Sequence, residues 1–189
     1  AGFTVLMALY IKDDPDRFDR ALVSVFANTL SPDAVLIVAD GPLTEALEAV
    51  LARHQAQEPT LKLHRLARNK GLAMALNEGL ERIETEWVAR ADSDDMNRPD
   101  RFARQAAALV AAGGKLDILG CAIQEIDPDG TPLAVRRTVS GHSSICRFAA
   151  RRSPFNHMTV WYRVALVRQV GGYPNIHLKE DYGLWASMM

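Results

Sequence analysis

The chain has 189 residues, 48% of them hydrophobic, enough for one sizeable core that buries roughly 70% of the unfolded surface. Its 22 basic and 23 acidic residues leave a net charge of −1, which excludes the broad basic footprint of a nucleic-acid binder. Cys121 and Cys146 make no disulfide framework and are expected as free, buried thiols, and no apolar run reaches the length of a transmembrane segment or a secretion signal, so a cytoplasmic protein is expected.

Residues 3–9 form a continuous apolar run of strand length, as in a parallel strand covered on both faces. The run ends at Tyr10. Asp13-Asp14-Pro15 then opens a helix to about residue 28, with Phe18, Leu22, Val25 and Phe26 on one face. A second apolar strand over 34–39 ends in Asp40-Gly41-Pro42, a helix follows over 44–55, and residues 61–66 read as a third strand. Repeated strand-helix-strand order with short connections predicts a right-handed, mostly parallel sheet. The turn Arg68-Asn69-Lys70-Gly71 leads into a helix through Leu80. Lys70 sits badly at a helix N-terminus, where anions are favoured, and either an anionic ligand or simple solvation would relieve the conflict.

Residues 86–91 form a strand that runs into Asp92-Ser93-Asp94-Asp95, three carboxylates in four positions, closed by Met96-Asn97-Arg98-Pro99. Side chains at the carboxyl end of such a strand enter the crevice where open α/β sheets bind ligands. Hard oxygen ligands from one or two carboxylates suit Mg²⁺ or Mn²⁺ completed by phosphate oxygens, and hence a nucleoside diphosphate. The alternative is an acidic turn capping the helix that begins at Pro99-Asp100, for which one aspartate would suffice. An EF-hand calcium loop is excluded, since Asn97 and Ala103 stand where that loop needs Gly and Glu.

A helix over 99–112 ends at Gly113-Gly114, and residues 116–122 read as another buried strand. Beyond it the pattern changes to a hairpin over 124–135, turning at Pro128-Asp129-Gly130. Residues 142–152 are expected to be helical; their arginines, with Arg136 and Arg137, could meet an anionic acceptor or a membrane, or form a solvated face. A strand over 158–162, a short helix over 163–170, the tight loop Gly171-Gly172-Tyr173-Pro174 and a final helix opened by Glu180-Asp181 complete the chain. Those two acids are either capping residues or a general base. The final helix has no stop signal before Met189, so the chain is expected to be truncated there.

In order, Tyr10, Asp40-Gly41, Asn69-Lys70-Gly71-Leu72-Ala73, Leu76-Asn77-Glu78-Gly79-Leu80, Asp92-Ser93-Asp94-Asp95 with Pro99 and Arg101, Gly172-Tyr173 and Glu180-Asp181 resemble a family 2 glycosyltransferase. The resemblance spans nearly the whole chain and is nearest to bacterial enzymes of the amylovoran biosynthesis type, which build exopolysaccharide or lipopolysaccharide glycans. It implies the α/β GT-A fold, a Rossmann-like nucleotide-diphospho-sugar transferase arrangement with a mostly parallel central sheet flanked by helices and a small antiparallel element. It implies one catalytic domain over 1–189, with a nucleotide-sugar-binding half over 1–122 and an acceptor-side half over 123–189. Tyr10 and Asp40 would hold a uracil nucleoside, with Arg68, Lys70, Asp92 and Ser93 on the rest of the donor. Asp92 and Asp94 would form the Asp-x-Asp motif that takes Mn²⁺ or Mg²⁺, Asp181 with Glu180 beside it would be the catalytic base, and His157 and Asp95 would lie on the acceptor or phosphate side. Ile11 and Ala39 stand where the family often carries Asn and a further acid.

The activity so implied is a metal-dependent, inverting hexosyl transfer from a nucleotide sugar, UDP-sugar favoured, to a hydroxyl of a glycan or lipid-linked saccharide, with peripheral membrane association. A sugar-nucleotide nucleotidyltransferase would want a glycine-rich loop after the first strand, and Tyr10-Ile11-Lys12-Asp13-Asp14 has no glycine. A non-catalytic nucleotide-sugar-binding module is the other alternative.

Overall fold

The computed structural model describes residues 2–127 and 130–189; Pro128-Asp129 of the expected hairpin turn lie outside the described residues. The apolar runs fold as expected into β1 (Phe3–Leu9), β2 (Ala34–Ala39), β3 (Leu61–Arg65) and β4 (Trp87–Arg90), linked by α1 (Pro15–Phe26), α2 (Glu45–Gln57) and α3 (Leu72–Leu80). All four strands are parallel, in the spatial order β3-β2-β1-β4. Side chains alternate across β1, so Phe3, Val5, Met7 and Leu9 enter one core with Phe18, Leu22 and Val25 of α1, while Leu6 enters the other with Ala75, Leu76 and Leu80 of α3. Helices therefore cover both faces of the sheet, which is why β1 and β2 are almost wholly buried and apolar, whereas the edge strand β3 alternates Leu61 and Leu63 with Lys62 and His64.

After β4 the chain forms α4 (Arg101–Ala111), β5 (Ile118–Leu119), the hairpin β6 (Ile123–Ile126) with β7 (Pro132–Arg136), α5 (His142–Ala149), β8 (Trp161–Arg163), α6 (Val164–Gln169) and α7 (Glu180–Met188). β8 inserts between β4 and β5, antiparallel to both. A strand antiparallel to β4 starts where β4 ends, so the segment entering β8 is delivered to the carboxyl edge of the sheet.

Three expectations need correction. The strand expected over 116–122 shrinks to Ile118–Leu119, half-buried rather than buried, because it is a sheet edge paired with β8 alone. The strand expected over 158–162 begins at Trp161, since His157–Thr159 winds as a 3-10 turn with the Thr159 hydroxyl donating to Asn156 O at 2.8 Å. Cys121 and Cys146 are free but only half-buried.

Candidate active site

The strand order places β2 on one side of β1 and β4 on the other, so the chain reverses its direction of winding between β1 and β4. Ligands of open α/β sheets bind in the crevice at such a switch point, beyond the carboxyl ends of the strands. The loops after β1 and β4 meet there. Asp13 Oδ2 accepts from Tyr10 N–H at 3.0 Å and from the Ser93 hydroxyl at 3.1 Å, tying one loop to the other across 80 positions of sequence. Burial raises the Asp13 carboxyl above its ordinary value despite those two bonds, and the nearby charges of Asp94 and Asp92 add to the rise. Asp13 read in sequence as part of a helix start; the helix cap is its neighbour Asp14, which accepts from Asp16 N–H and Arg17 N–H, both at 2.9 Å.

Tyr10 and Asp40 follow paired positions of β1 and β2, Leu9 and Ala39, and Asp40 N–H donates to Leu9 O at 2.7 Å. The Tyr10 side chain is partly exposed at this edge. Asp40 is buried, and its carboxylate accepts from the backbone N–H groups of Lys70 at 2.6 Å and Gly71 at 2.9 Å, so it organises the turn after β3. Lys70 answers its unfavourable position within the chain, pairing with Glu78 at 2.9 Å. Arg68 is exposed, with no hydrogen-bond or ion-pair partner among the described residues.

The acidic loop is held from beneath by Arg90, the last residue of β4 and wholly buried. Its guanidinium pairs with Asp92, donates to Leu6 O at 2.7 Å and donates from Nε to His157 Nε2 at 3.2 Å. Burial is the largest single influence on Asp92 and works against its ionisation, yet the charge and hydrogen bond of Arg90, with the charge of Arg101, together outweigh it and hold the carboxyl below its ordinary value. Asp94 is exposed and unpaired among the described residues. Asp95, half-buried and facing the charges of Asp92 and Asp94, is pushed up to about 6, burial being the larger cause. None of the four loop residues caps α4, and even Asp100 at its start makes no side-chain cap bond. Among the described residues no three His, Cys, Asp or Glu side chains converge into a metal cage. One carboxylate, Asp92, is neutralised by Arg90 while Asp94 is left without a counter-charge among the described residues, which fits a cation bound by one or two carboxylates and completed by phosphate oxygens.

The same network reaches α7. His157 Nε2 also lies 3.1 Å from the Tyr173 hydroxyl, and its ring packs edge-on against Trp185 of α7 at 5.9 Å between centroids. Burial and the Arg90 cation pull the His157 imidazole down to about 3, so it is neutral. Asn77 of α3 pins the Gly172-Tyr173 loop by two bonds, accepting Tyr173 N–H at 2.8 Å and donating to Tyr173 O at 2.9 Å. Glu180 and Asp181 are half-buried in the first turn of α7, and Asp181 Oδ2 lies 3.4 Å from the Ser153 hydroxyl. Asp181 and Asp92 are thus joined indirectly, by contacts that run through Ser153, Phe155, Trp185, His157 and Arg90. Sequence reasoning missed Arg90, Asp13 and Trp185. A signal for the first existed: an arginine closing an apolar strand two positions before an aspartate.

Residues 4–169 match the profile of Glycosyl transferase family 2. The chain is 38% identical over 183 residues to the UDP-Gal:alpha-D-GlcNAc-diphosphoundecaprenol beta-1,3-galactosyltransferase of Escherichia coli, a match covering 97% of this chain and 66% of that protein. It is 37% identical over 187 residues to the amylovoran biosynthesis glycosyltransferase AmsE of Erwinia amylovora, covering 99% of this chain and 69% of that protein. It superposes on S. aureus TarS 1-349 in complex with UDP-GlcNAc with a TM-score of 0.76 at 21% identity, over 100% of this chain and 53% of the other. With the mannosyltransferase PcManGT of Pyrobaculum calidifontis, in complex with GDP-Man and Mn2+, the TM-score is 0.72 at 17% identity, over 98% of this chain and 51% of the other. At those identities the solved structures show the fold alone, which is GT-A. The chain spans about two thirds of the length of its curated relatives and about half that of the solved chains. On its motifs, its fold and the family profile together, the chain belongs to glycosyl transferase family 2.

Proposed function

We propose that this chain is the catalytic domain of an inverting glycosyltransferase that moves a hexose from a UDP-sugar to a hydroxyl of a lipid-linked saccharide during cell-surface glycan assembly. The observation that carries the reading is the Asp13–Ser93 bridge, which closes the switch point between β1 and β4 with Tyr10 on one wall and the acidic loop on the other. Residues 1–122 supply the donor half: Tyr10 and Asp40 for the nucleoside, Ser93 and Asp92 for the ribose, Arg68 and Lys70 for the phosphates. Residues 123–189 supply the acceptor half. The printed names of the relatives support this choice of substrates, since the E. coli protein takes UDP-Gal and a diphosphoundecaprenol acceptor.

Asp181, aided by Glu180, accepts the proton of the acceptor hydroxyl as that oxygen attacks the anomeric carbon and the nucleoside diphosphate leaves. One displacement inverts the anomeric configuration. A positioned base supplies on the order of 10²- to 10⁴-fold in rate. Asp92 and Asp94 would hold Mn²⁺ or Mg²⁺, which supplies Lewis-acid stabilisation of the charge on the leaving diphosphate. His157, neutral and bonded to Arg90, keeps Asp92 oriented from below, while Asp95 faces the phosphate side.

Asp181→Asn should retain UDP-sugar affinity and lose at least about 100-fold in turnover. Calorimetry paired with a nucleoside diphosphate release assay checks it, and full turnover by the variant refutes the base. Asp94→Asn should abolish the Mn²⁺-dependent part of UDP-sugar binding, read in the same calorimeter. Donor binding with no release of nucleoside diphosphate under any condition would favour a non-catalytic binding module instead.

A further inference from the structure

From Gly130 to Lys179 the chain contains no Asp or Glu, yet it carries seven arginines and one lysine. Since the net charge of the whole chain is −1, the molecule is strongly polarised. Arg163 and Arg168 are consumed in the fold, the first pairing with Glu86 and Asp117 and the second donating to the carbonyls of Leu80 and Ile83. Arg136 pairs with Glu125. Arg137, Arg147, Arg151 and Arg152 are exposed and have no carboxylate partner among the described residues.

Exposed apolar side chains accompany these cations. Every residue of β7 is exposed, with Leu133 at 66% and Val135 at 51% on one face of the strand. Val139 lies at most about 14 Å of chain beyond Val135. It lines a groove of about 690 Å³ whose other walls include Arg147, Phe148, Arg151 and Arg152. Hydrogen-bonded backbone, protruding apolar side chains and, a short stretch of chain away, arginines without carboxylate partners are the parts of a surface that seats in the headgroup region of an anionic bilayer.

We propose that β7 and α5 form a peripheral docking face for an anionic phospholipid membrane, with Leu133 and Val135 entering the interface and Arg137, Arg147, Arg151 and Arg152 meeting lipid phosphates. This deepens the glycosyl-transfer reading, whose lipid-linked acceptor calls for a membrane, by naming the face that docks; vesicle binding is read without turnover, so the docking face can fail while glycosyl transfer stands. No helix among the described residues is long and apolar enough to cross a membrane, so the attachment is reversible and weakens with salt.

Sedimentation of the purified protein with vesicles of phosphatidylglycerol and phosphatidylcholine tests it. Binding is expected to anionic vesicles, not to pure phosphatidylcholine, and to fall as salt rises. Arg147→Glu/Arg151→Glu should weaken it by at least about 25-fold, since one arginine near an anionic surface is worth roughly fivefold. Leu133→Ser/Val135→Ser should weaken it with the salt dependence kept. These side chains are exposed, so both variants should melt like the parent and bind UDP-sugar unchanged. No vesicle binding, binding indifferent to the variants, or retention by an anionic polysaccharide without vesicle binding would each overturn the proposal.

Discussion

At the scale of single residues the site depends on a buried guanidinium. A buried charge is costly unless paired and hydrogen-bonded, and Arg90 meets that condition with Asp92, two main-chain carbonyls and the His157 ring. Removing the histidine proton acceptor should therefore be visible in pH dependence. Unfolded histidine takes a proton near pH 6.5, whereas folded His157 resists until about 3. Its stabilising contribution is complete above pH 6.5 and lost as pH falls, roughly 3 kcal/mol of it by pH 4. Asp95 acts in the opposite sense, because its folded carboxyl takes a proton near 6, before the unfolded one does, and so relieves a cost on acidification. The comparison that isolates the histidine is parent against His157→Gln in urea denaturation between pH 7 and pH 4. The variant should lose less stability over that range; parallel losses would mean that the ring is protonated in the fold.

Elements explain why neighbouring aspartates have different duties. Asp14 caps α1, and Asp14→Ala should cost about 1 kcal/mol while leaving UDP-sugar affinity intact. Asp13→Ala, one residue earlier, should spare most of the stability and weaken donor binding, because it unties Ser93 from the loop after β1. Calorimetry and denaturation on the two variants check the contrast. A similar division applies at Gly41, whose φ of +93° suits glycine and where an added Cβ would come 2.7 Å from Asn69 N. Gly41→Ala should cost more than about 2 kcal/mol and displace the amides of Lys70 and Gly71 from Asp40. A melting curve that overlays the parent would contradict that packing.

For the whole molecule the decisive contact is between layers. Trp185 is wholly buried and packs against Phe155, His157, Tyr162 and Tyr173, drawn from the segments before, within and after β8. Trp185→Ala should cost about 3 to 5 kcal/mol and speed amide exchange in α7 well before β1 or β2 opens. Uniform loss of protection would mean that α7 is no separate unit. By itself the sequence determined the alternation of strands and helices through α4 and the place of Tyr10, Asp40 and Asp92 at strand ends, because apolar runs, caps and glycine turns act over a few residues. The family resemblance carried the reading further, to the GT-A fold and the candidate roles. Only the tertiary structure decided that β8 runs antiparallel against β4, that Asp13 bridges to Ser93, and that Arg90 meets His157 67 positions away. Such pairings depend on which strand lies beside which, and that is settled by burying two faces of one sheet at once, a condition no local stretch of chain expresses.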